Sequence, residues 1–330
     1  MNLITDAEVS RHLLKYRAPI VTAKGTFTER PTVILTIKDS DGSTGVGEAC
    51  PMVGFADETI DETEKAIWDW LHTEDQNSPP LIPTARAAIE GALFDLKAKQ
   101  QEKYLCHYLN PESSLKVPVS ILVNGETPSE LTANVKQIVD DGFSSLKLKI
   151  GARSFNEDLS RINAIREVAN SNISIRLDAN GAWSVSEAIA NVNQLQDLSI
   201  EFIEEPVSGI EQLREVRNAC GVPIAADETA LNIEAVETLI EREAVDCIIV
   251  KPSAIGGIVP STQVTDLARA SGINVVVTSL LESSIGVGLA AHFASALELT
   301  DPAPGLATSY LLLNDLISAP EIKDGCIHLS

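Results

Sequence analysis

Positive charge is scarce in this chain. Twenty-five lysines and arginines face forty-seven aspartates and glutamates, for a net charge of -22. Such a surface repels a phosphate backbone or an anionic bilayer, which argues against nucleic acid or a membrane as partner. Cysteine is sparse and unpatterned: five residues at 50, 106, 220, 247 and 326, with no C-x-x-C. An odd, scattered set reads as reduced, structural thiols rather than a disulfide framework, and the expected location is cytoplasmic. No apolar run approaches the ~18 residues of a membrane span. Asp6, Glu8 and Arg11 occupy the stretch where a signal peptide needs hydrophobic residues. Low-complexity segments and internal repeats of 20–50 residues are also missing.

What is present suffices for a large core: 330 residues, 44% of them hydrophobic. That length suits a barrel with an attachment. Pro31–Lys38 reads as a strand, Asp39–Ser43 as a turn and Thr44–Ala49 as the return strand. With a run near Glu8–Tyr16 they suggest a three-stranded antiparallel sheet. Helical spacing covers Asp57–His72, a break follows at Asn77–Pro80, and Thr84 precedes an apolar stripe over Arg86–Gln101. Residues 1–115 therefore read as an α+β unit.

From Val117 strands and helices alternate. Strands are expected at 117–123, 144–150, 173–179, 200–205, 223–227, 246–251, 274–279 and, weakly, 305–309. Helices are expected between them, as at Pro128–Asp140, Asn156–Ala169 and Val185–Leu198. Strand starts recur every ~20–30 residues, the size of a βα unit. An open doubly wound sheet is the rival architecture. No G-x-G-x-x-G follows the first strand, and charge ends strand after strand, so closure into a barrel over 116–310 is favoured. Residues 311–330 run past the last strand, and Gly325–Leu329 is expected to return to the first unit as an extra strand.

The charged strand ends carry the chemistry. Lys147 and Lys149 share one strand face, as do Arg176, Asp178 and Asn180. Asp178, Glu204 and Asp227 end three consecutive strands. Three carboxylates at one barrel mouth repel one another unless a cation joins them, and hard oxygen ligands without Cys or His suit Mg²⁺ rather than zinc. Lys149 and Lys251 end the second and sixth strands, on opposite sides of an eight-membered ring. A lysine is a poor base at its free pKa of ~10.4. Burial, a second lysine and a dication all disfavour its charged form. Taken singly, a Lys-x-Lys is an ordinary solvated pair and an Asp after a strand an ordinary turn residue. Five such signals in order have no comparable bland explanation.

Lys147-Leu-Lys149, Asp178-Ala-Asn180, Glu204-Glu-Pro206, Asp227-Glu228 and Lys251-Pro252 together resemble the enolase superfamily, as does Gly47-Glu48-Ala49 in the first unit. The resemblance spans the whole chain. It implies an α/β fold, a (β/α)7β TIM-like barrel with an N-terminal α+β capping domain. It also implies Mg²⁺ on Asp178, Glu204 and Asp227, and α-proton abstraction from a small carboxylate substrate. No histidine ends the seventh strand and a lysine ends the sixth, which resembles the muconate lactonizing enzyme subgroup. Lys251–Gly257, Thr278–Gly286 and Pro304–Thr308 are similar to o-succinylbenzoate synthases. Dipeptide epimerases look similar too, but carry Asp-x-Asp after strand 8, where this chain has Gly305-Leu-Ala-Thr308.

That resemblance implies dehydration of a hydroxy-succinyl-cyclohexadiene carboxylate to 2-succinylbenzoate, in menaquinone or phylloquinone formation. Lys149 is then the base and later the acid, Lys251 a cation on the opposite face, and Lys147 a neighbour that tunes Lys149. Loops 18–27 and 51–58 would close over the substrate. Arg176 is expected beneath the carboxylates or as plain charge balance. Ser279 and Glu282, Ser283 and Ser284 are candidates for substrate contact or for capping. N-succinylamino-acid racemase or dipeptide epimerase of the same subgroup, and a catalytically silent binding barrel, are the alternatives. Monomer and homo-oligomer both remain open.

Overall fold

The computed structural model describes residues 4–22, 25–73, 76, 78–125 and 127–329. Three strands open the chain: β1 (Ile4–Thr22), β2 (Gly25–Asp39) and β3 (Thr44–Ala49), paired antiparallel in that order. The stretch read as loop 18–27 is largely a hairpin, with Ile20 opposite Phe27 and Thr22 opposite Gly25; residues 23 and 24 lie outside the described residues. Asp39 makes the second turn by accepting the Asp41 and Ser43 amides at 2.9 Å each. Alternation in β2 buries Val33, Leu35 and Ile37 against two helices, Ile60–Leu71 and Pro83–Gln100. Thr59 and Glu62 close a capping box on the first helix. The second starts at Pro83, so Thr84 lies inside it, where its hydroxyl meets Glu58 and Thr63. Asn77, in the expected break, lies outside the described residues.

Gly45 and Gly47 let this second helix lie directly on β3. A Cβ on either would overlap a helix carbonyl oxygen, Ala92 or Ala88 respectively.

The expected first barrel strand is split into β4 (Lys116–Pro118) and β5 (Ile121–Leu122). β6 (Ser145–Lys149), β7 (Ser174–Asp178), β8 (Ile200–Glu204), β9 (Ile224–Ala226), β10 (Cys247–Val250) and β11 (Asn274–Val277) follow. β5 to β11 pair in chain order as one parallel sheet. Gly305 bridges Thr278 and Ala307 bridges Ile121, both parallel, so the eighth position joins the two edges. It does so with bridges rather than the full strand expected at 305–309, because a 3₁₀ turn begins at Ser309. The result is a curled sheet that fits a (β/α)7β TIM-like barrel. Three of its helices begin with capping boxes: Thr127 with Glu130, Ser154 with Glu157 and Ser184 with Glu187. The helix expected over Val185–Leu198 is α-helical to Val192 and 3₁₀ beyond it.

Alternation along the strands sorts the core. Leu146, Leu148, Ile175, Leu177 and Ile203 face the helices, whereas Phe202, Ala225, Cys247, Ile249 and Val276 form a separate cluster inside the ring. All five cysteines are unpaired. No helix among the described residues is long and apolar enough to cross a membrane.

The chain end divides its contacts. Leu311 and Leu312 pack on Leu14, Tyr16 and Ile20 of the first unit. The last strands, β12 (Glu321–Lys323) and β13 (Cys326–His328), form a small sheet with β4, Ile327 lying opposite Val117. The expected return of Gly325–Leu329 to the first unit as an extra strand is therefore corrected: β13 pairs instead with β4, which breaks away from the ring.

Candidate active site

Register builds the site. Lys147 and Lys149 in β6 lie opposite Arg176 and Asp178 in β7, and Asp178 lies opposite Glu204 in β8. Their side chains all point into the ring. Asp227 and Lys251 directly follow β9 and β10. Asp178, Glu204 and Asp227 are buried, each with a carboxylate oxygen within 4.8 Å of the others. Lys147 reaches Asp178 Oδ2 at 2.7 Å and also Glu204. Lys149 bridges Asp178 Oδ2 at 2.6 Å and Asn180 Oδ1 at 2.9 Å. Lys251 pairs with both oxygens of Asp227. Three ammonium groups thus neutralise three carboxylates.

The electrostatics follow from that packing. Burial alone would push the Lys147 ammonium down, but Asp178, Glu204 and Asp227 together hold its pKa above the ordinary value. Burial likewise works against ionised Asp178, yet Lys147 and Lys149 hold its carboxyl well below the usual range. Glu204 is pushed up to about 7 by burial, opposed by Lys147 and reinforced by Asp178 and Asp227. The donor set fits a hard divalent cation: three buried oxygen ligands, no sulfur or imidazole, and a spacing one ion can span. Asp178, Glu204 and Asp227 are the residues that could hold Mg²⁺.

Two residues beside the carboxylates adopt left-handed backbone, Asn180 (φ 47°) and Glu205 (φ 39°). Asn tolerates this conformation and Glu rarely does, so the second is a strained position held by its surroundings. The turn aims Glu205 at the next strand end, where it accepts the Asp227 amide at 2.8 Å and the Thr229 hydroxyl. Burial, then neighbouring Glu228, push its carboxyl up to about 8. Asn180 also donates to Glu228 Oε1 at 3.0 Å, while Glu228 Oε2 is buried without a partner.

Above this layer opens a cleft of about 830 Å³, open solvent at its mouth included. Lys147, Lys149, Asp178, Asn180, Asp227, Lys251 and Ser279 all line it. The first unit adds Ile20, Phe27, Met52 and Phe55, and the Phe55 ring centre lies 3.9 Å from the Lys251 ammonium. The opposite wall, where the ring closes, is apolar and hydroxylic. There Ser279 and Thr308 share a 2.8 Å hydrogen bond beside Leu280, Leu281, Gly305 and Ala307.

Arg176 lies beneath the carboxylates, and the remaining candidate contacts lie away from the cleft. Arg176 points into the ring but one layer down, with hydrogen bonds to Glu201 and the Ala303 carbonyl and its guanidinium 4.9 Å from the Phe202 ring centre. Glu282, Ser283 and Ser284 are buried away from the cleft lining. Glu282 accepts the Ser253 hydroxyl at 3.0 Å, Ser283 caps the helix Ser284–Ala296 and bonds Glu48, and Ser284 bonds Asp315. A helix start needs its amides satisfied, which is why the Ser283 hydroxyl turns inward to the Ile285 amide. Phe55, Glu205 and Glu228 were not singled out by sequence reasoning. Only the paired acids of Glu204-Glu205 and Asp227-Glu228 hinted at the latter two.

Comparison with known proteins agrees with this geometry. Residues 4–109 match the mandelate racemase / muconate lactonizing enzyme N-terminal domain, and residues 130–330 match the enolase C-terminal domain-like family. The D-Ala-D/L-Ala epimerase of Cytophaga hutchinsonii is 31% identical over 309 residues, covering 88% of this chain and 83% of its own. The o-succinylbenzoate synthase of Thermobifida fusca is 32% identical over 206 residues, covering 62% of this chain and 63% of its own. Among solved structures, the dipeptide epimerase of Enterococcus faecalis V583 complexed with Mg and L-Leu-L-Tyr superposes with a TM-score of 0.88 at 26% identity. That match covers 99% of this chain and 97% of the other.

Proposed function

The chain belongs to the enolase superfamily, in its mandelate racemase / muconate lactonizing enzyme branch, and from that premise we propose that it is a Mg²⁺-dependent enzyme removing the α-proton of a carboxylate that carries no ammonium group. The reaction favoured is that of an o-succinylbenzoate synthase, with residues 1–115 capping the barrel of 116–310. The observation that carries it is the asymmetry of the cleft. Its lining carboxylates, Asp178, Asp227 and Glu228, cluster on one side, and the closing wall offers hydroxyl and apolar groups only. An ammonium group on the substrate tail would find no carboxylate on that wall, whereas a neutral or keto-bearing tail fits it.

Asp178, Glu204 and Asp227 would hold the cation, which polarises a bound substrate carboxylate and acidifies its α-carbon. As the neutral amine, freed once a cation takes over the charge balance of the carboxylates, Lys149 is placed to take that proton: it lines the cleft, and Asn180 and Asp178 fix its direction. The same amine can return the proton to a departing hydroxide on the same face. Lys251 stands across the ring beneath Phe55 and stabilises the developing negative charge as a cation. Lys147 lies between Asp178 and Glu204, contributing positive charge next to Lys149. The lid residues Ile20, Phe27 and Met52 exclude water.

A second reading is N-succinylamino-acid racemase. It is favoured by the placement of Lys149 and Lys251, which line the cleft from opposite strands and could each exchange a proton. The test supplies the Mg²⁺-loaded protein with the hydroxy-succinyl-cyclohexadiene carboxylate, N-succinylamino acids and free dipeptides in D₂O. Formation of the aromatic product, lost in Asp227→Asn together with a chelator-reversible Mg²⁺ thermal shift, is expected. Deuterium at the α-carbon of N-succinylamino acids alone would select the second reading. Turnover of free dipeptides alone would overturn both.

A further inference from the structure

β3 leaves the first sheet at Ala49 and runs as residues 50–56 to the barrel mouth, where it delivers Met52 and Phe55. On the barrel side, residues 278–283 deliver Ser279, Leu280 and Leu281. Two buried charged side chains are set between these segments, Arg30 at 4% exposure and Glu48 at 5%. Arg30 donates to the Pro51 carbonyl at 2.8 Å, the Cys50 carbonyl at 2.7 Å and the Leu280 carbonyl at 3.2 Å. Glu48 Oε1 accepts the Thr32 hydroxyl at 2.8 Å and the Ser283 amide at 3.0 Å. Its Oε2 accepts the Ser283 hydroxyl and the Gly286 amide, the latter at 3.0 Å. Glu48 thus sits at the amino end of the 13-residue helix Ser284–Ala296, where its charge is favoured. Gly286 makes room for two acids, since a Cβ there would overlap Glu282 Cγ and lie 3.1 Å from Glu48 Oε2.

Burying charge at a seam is costly unless its polar atoms are directed; here all are except Arg30 Nε, which is buried without a hydrogen-bond partner. Apolar residues would join the two units without fixing direction; these two side chains fix both segments by their backbones. The network continues to the catalytic side. Glu282 accepts both the Leu280 amide and the hydroxyl of Ser253, two residues beyond Lys251. The loop bearing Phe55 and the loop bearing Lys251 are thereby held through one set of hydrogen bonds.

We propose that Arg30 and Glu48 are positioning residues that lock segment 50–56 onto segment 278–283 and so hold Phe55 over the Lys251 ammonium. The proposal rests on Lys251 being a working lysine of the reaction described above. In Glu48→Gln an amide nitrogen must face N–H or O–H donors of Ser283 and Gly286, and in Arg30→Met three backbone carbonyls lose their donor.

The test combines amide hydrogen exchange with the stereochemistry of α-proton exchange, using the Mg²⁺-loaded protein and N-succinylamino acids of either hand. In both variants, peptides covering 50–56 and 278–283 should exchange about tenfold faster or more, while those covering β7 and β8 stay protected. Exchange from the face of Lys251 should fall about tenfold or more, against about threefold or less from the face of Lys149. Arg30→Lys, which keeps one donor group, should lie between wild type and Arg30→Met. Adding Glu48→Gln to Phe55→Leu should not change the face ratio further, because both act through the same ring. Equal loss on both faces with faster exchange throughout the barrel would mean general destabilisation and overturn the proposal, as would unchanged protection of the two segments. If wild type exchanges no α-proton of N-succinylamino acids, the racemase reading fails while the dehydration reading stands, and the amide-exchange arm alone decides whether Arg30 and Glu48 hold the segments.

Discussion

Glu282 is 1% exposed and its carboxyl is pushed up to about 7, by burial first and then by the neighbouring charge of Glu48. A folded pKa above the unfolded one means that the native state holds this proton more tightly. The resulting stability is complete below about pH 4.5 and is lost as pH rises through about 7. Glutamine retains an acceptor for the Leu280 amide and a donor for Ser253 Oγ, without a charge to bury. Glu282→Gln should therefore leave stability at pH 5 nearly unchanged and raise it at pH 8.5 by up to about 3 kcal/mol. Urea midpoints at the two pH values check this; parallel pH profiles for the two proteins would refute it. The residue also shows where the sequence misleads. Lys147, Lys149, Asp178, Glu204, Asp227 and Lys251 were legible because a charge ending an apolar strand has few other uses. Glu282 and Ser283 follow a strand in the same way, yet Ser283 is taken by the helix that begins after it and Glu282 by the Leu280 amide and the Ser253 hydroxyl. Arg176 shares a strand face with Asp178 but sits a layer lower, where its partners are Glu201 and Ala303. Alternation tells which way a side chain points and at which layer, but not which partner it finds there.

Among the elements, the seam between β3 and the helix Pro83–Gln100 is the most demanding. Gly47 has no room for a side chain because the Ala88 carbonyl lies against its Cα, and the neighbouring Glu48 must reach a helix start in the barrel. Gly47→Ala must lift the helix off the sheet. It should destabilise by about 1–3 kcal/mol, the usual cost of overpacking, and displace Glu48. A thermal melt should show the loss; a wild-type melting temperature would mean that the helix moves freely. Gly47-Glu48-Ala49 was visible in the sequence as a motif, but its reason was not, since both contacts are with segments remote in the chain. The same holds for β13. Its alternating residues announced a strand, and only the break between β4 and β5 decides which edge it joins. Local signals fared better. The capping boxes at Thr127, Ser154 and Ser184 place helix starts within a residue or two of expectation, because donor, acceptor and stop signal all lie within four positions.

For the whole molecule, most of the charge of -22 lies on the surface, since few of its carboxylates are buried. At the site, Lys147, Lys149 and Lys251 balance Asp178, Glu204 and Asp227, so the excess anions lie elsewhere and repel one another across the exterior. Self-repulsion of this kind opposes the compact state and is long-ranged in dilute buffer. Raising ionic strength from about 0.01 M to about 0.15 M shortens the screening length from about 30 Å to about 8 Å, which is less than the width of a barrel. Distant surface anions then cease to interact, whereas the buried lysine–carboxylate pairs, in contact and away from solvent, are screened far less. The melting temperature of the metal-free protein should therefore rise with sodium chloride over this range. The increment should be the same in Asp178→Asn, whose lost charge is internal. A melting temperature that falls with salt would mean that attractive surface pairs, such as Arg11 with Asp61, outweigh the net repulsion. An increment abolished by Asp178→Asn would place the repulsion at the barrel mouth instead of on the exterior.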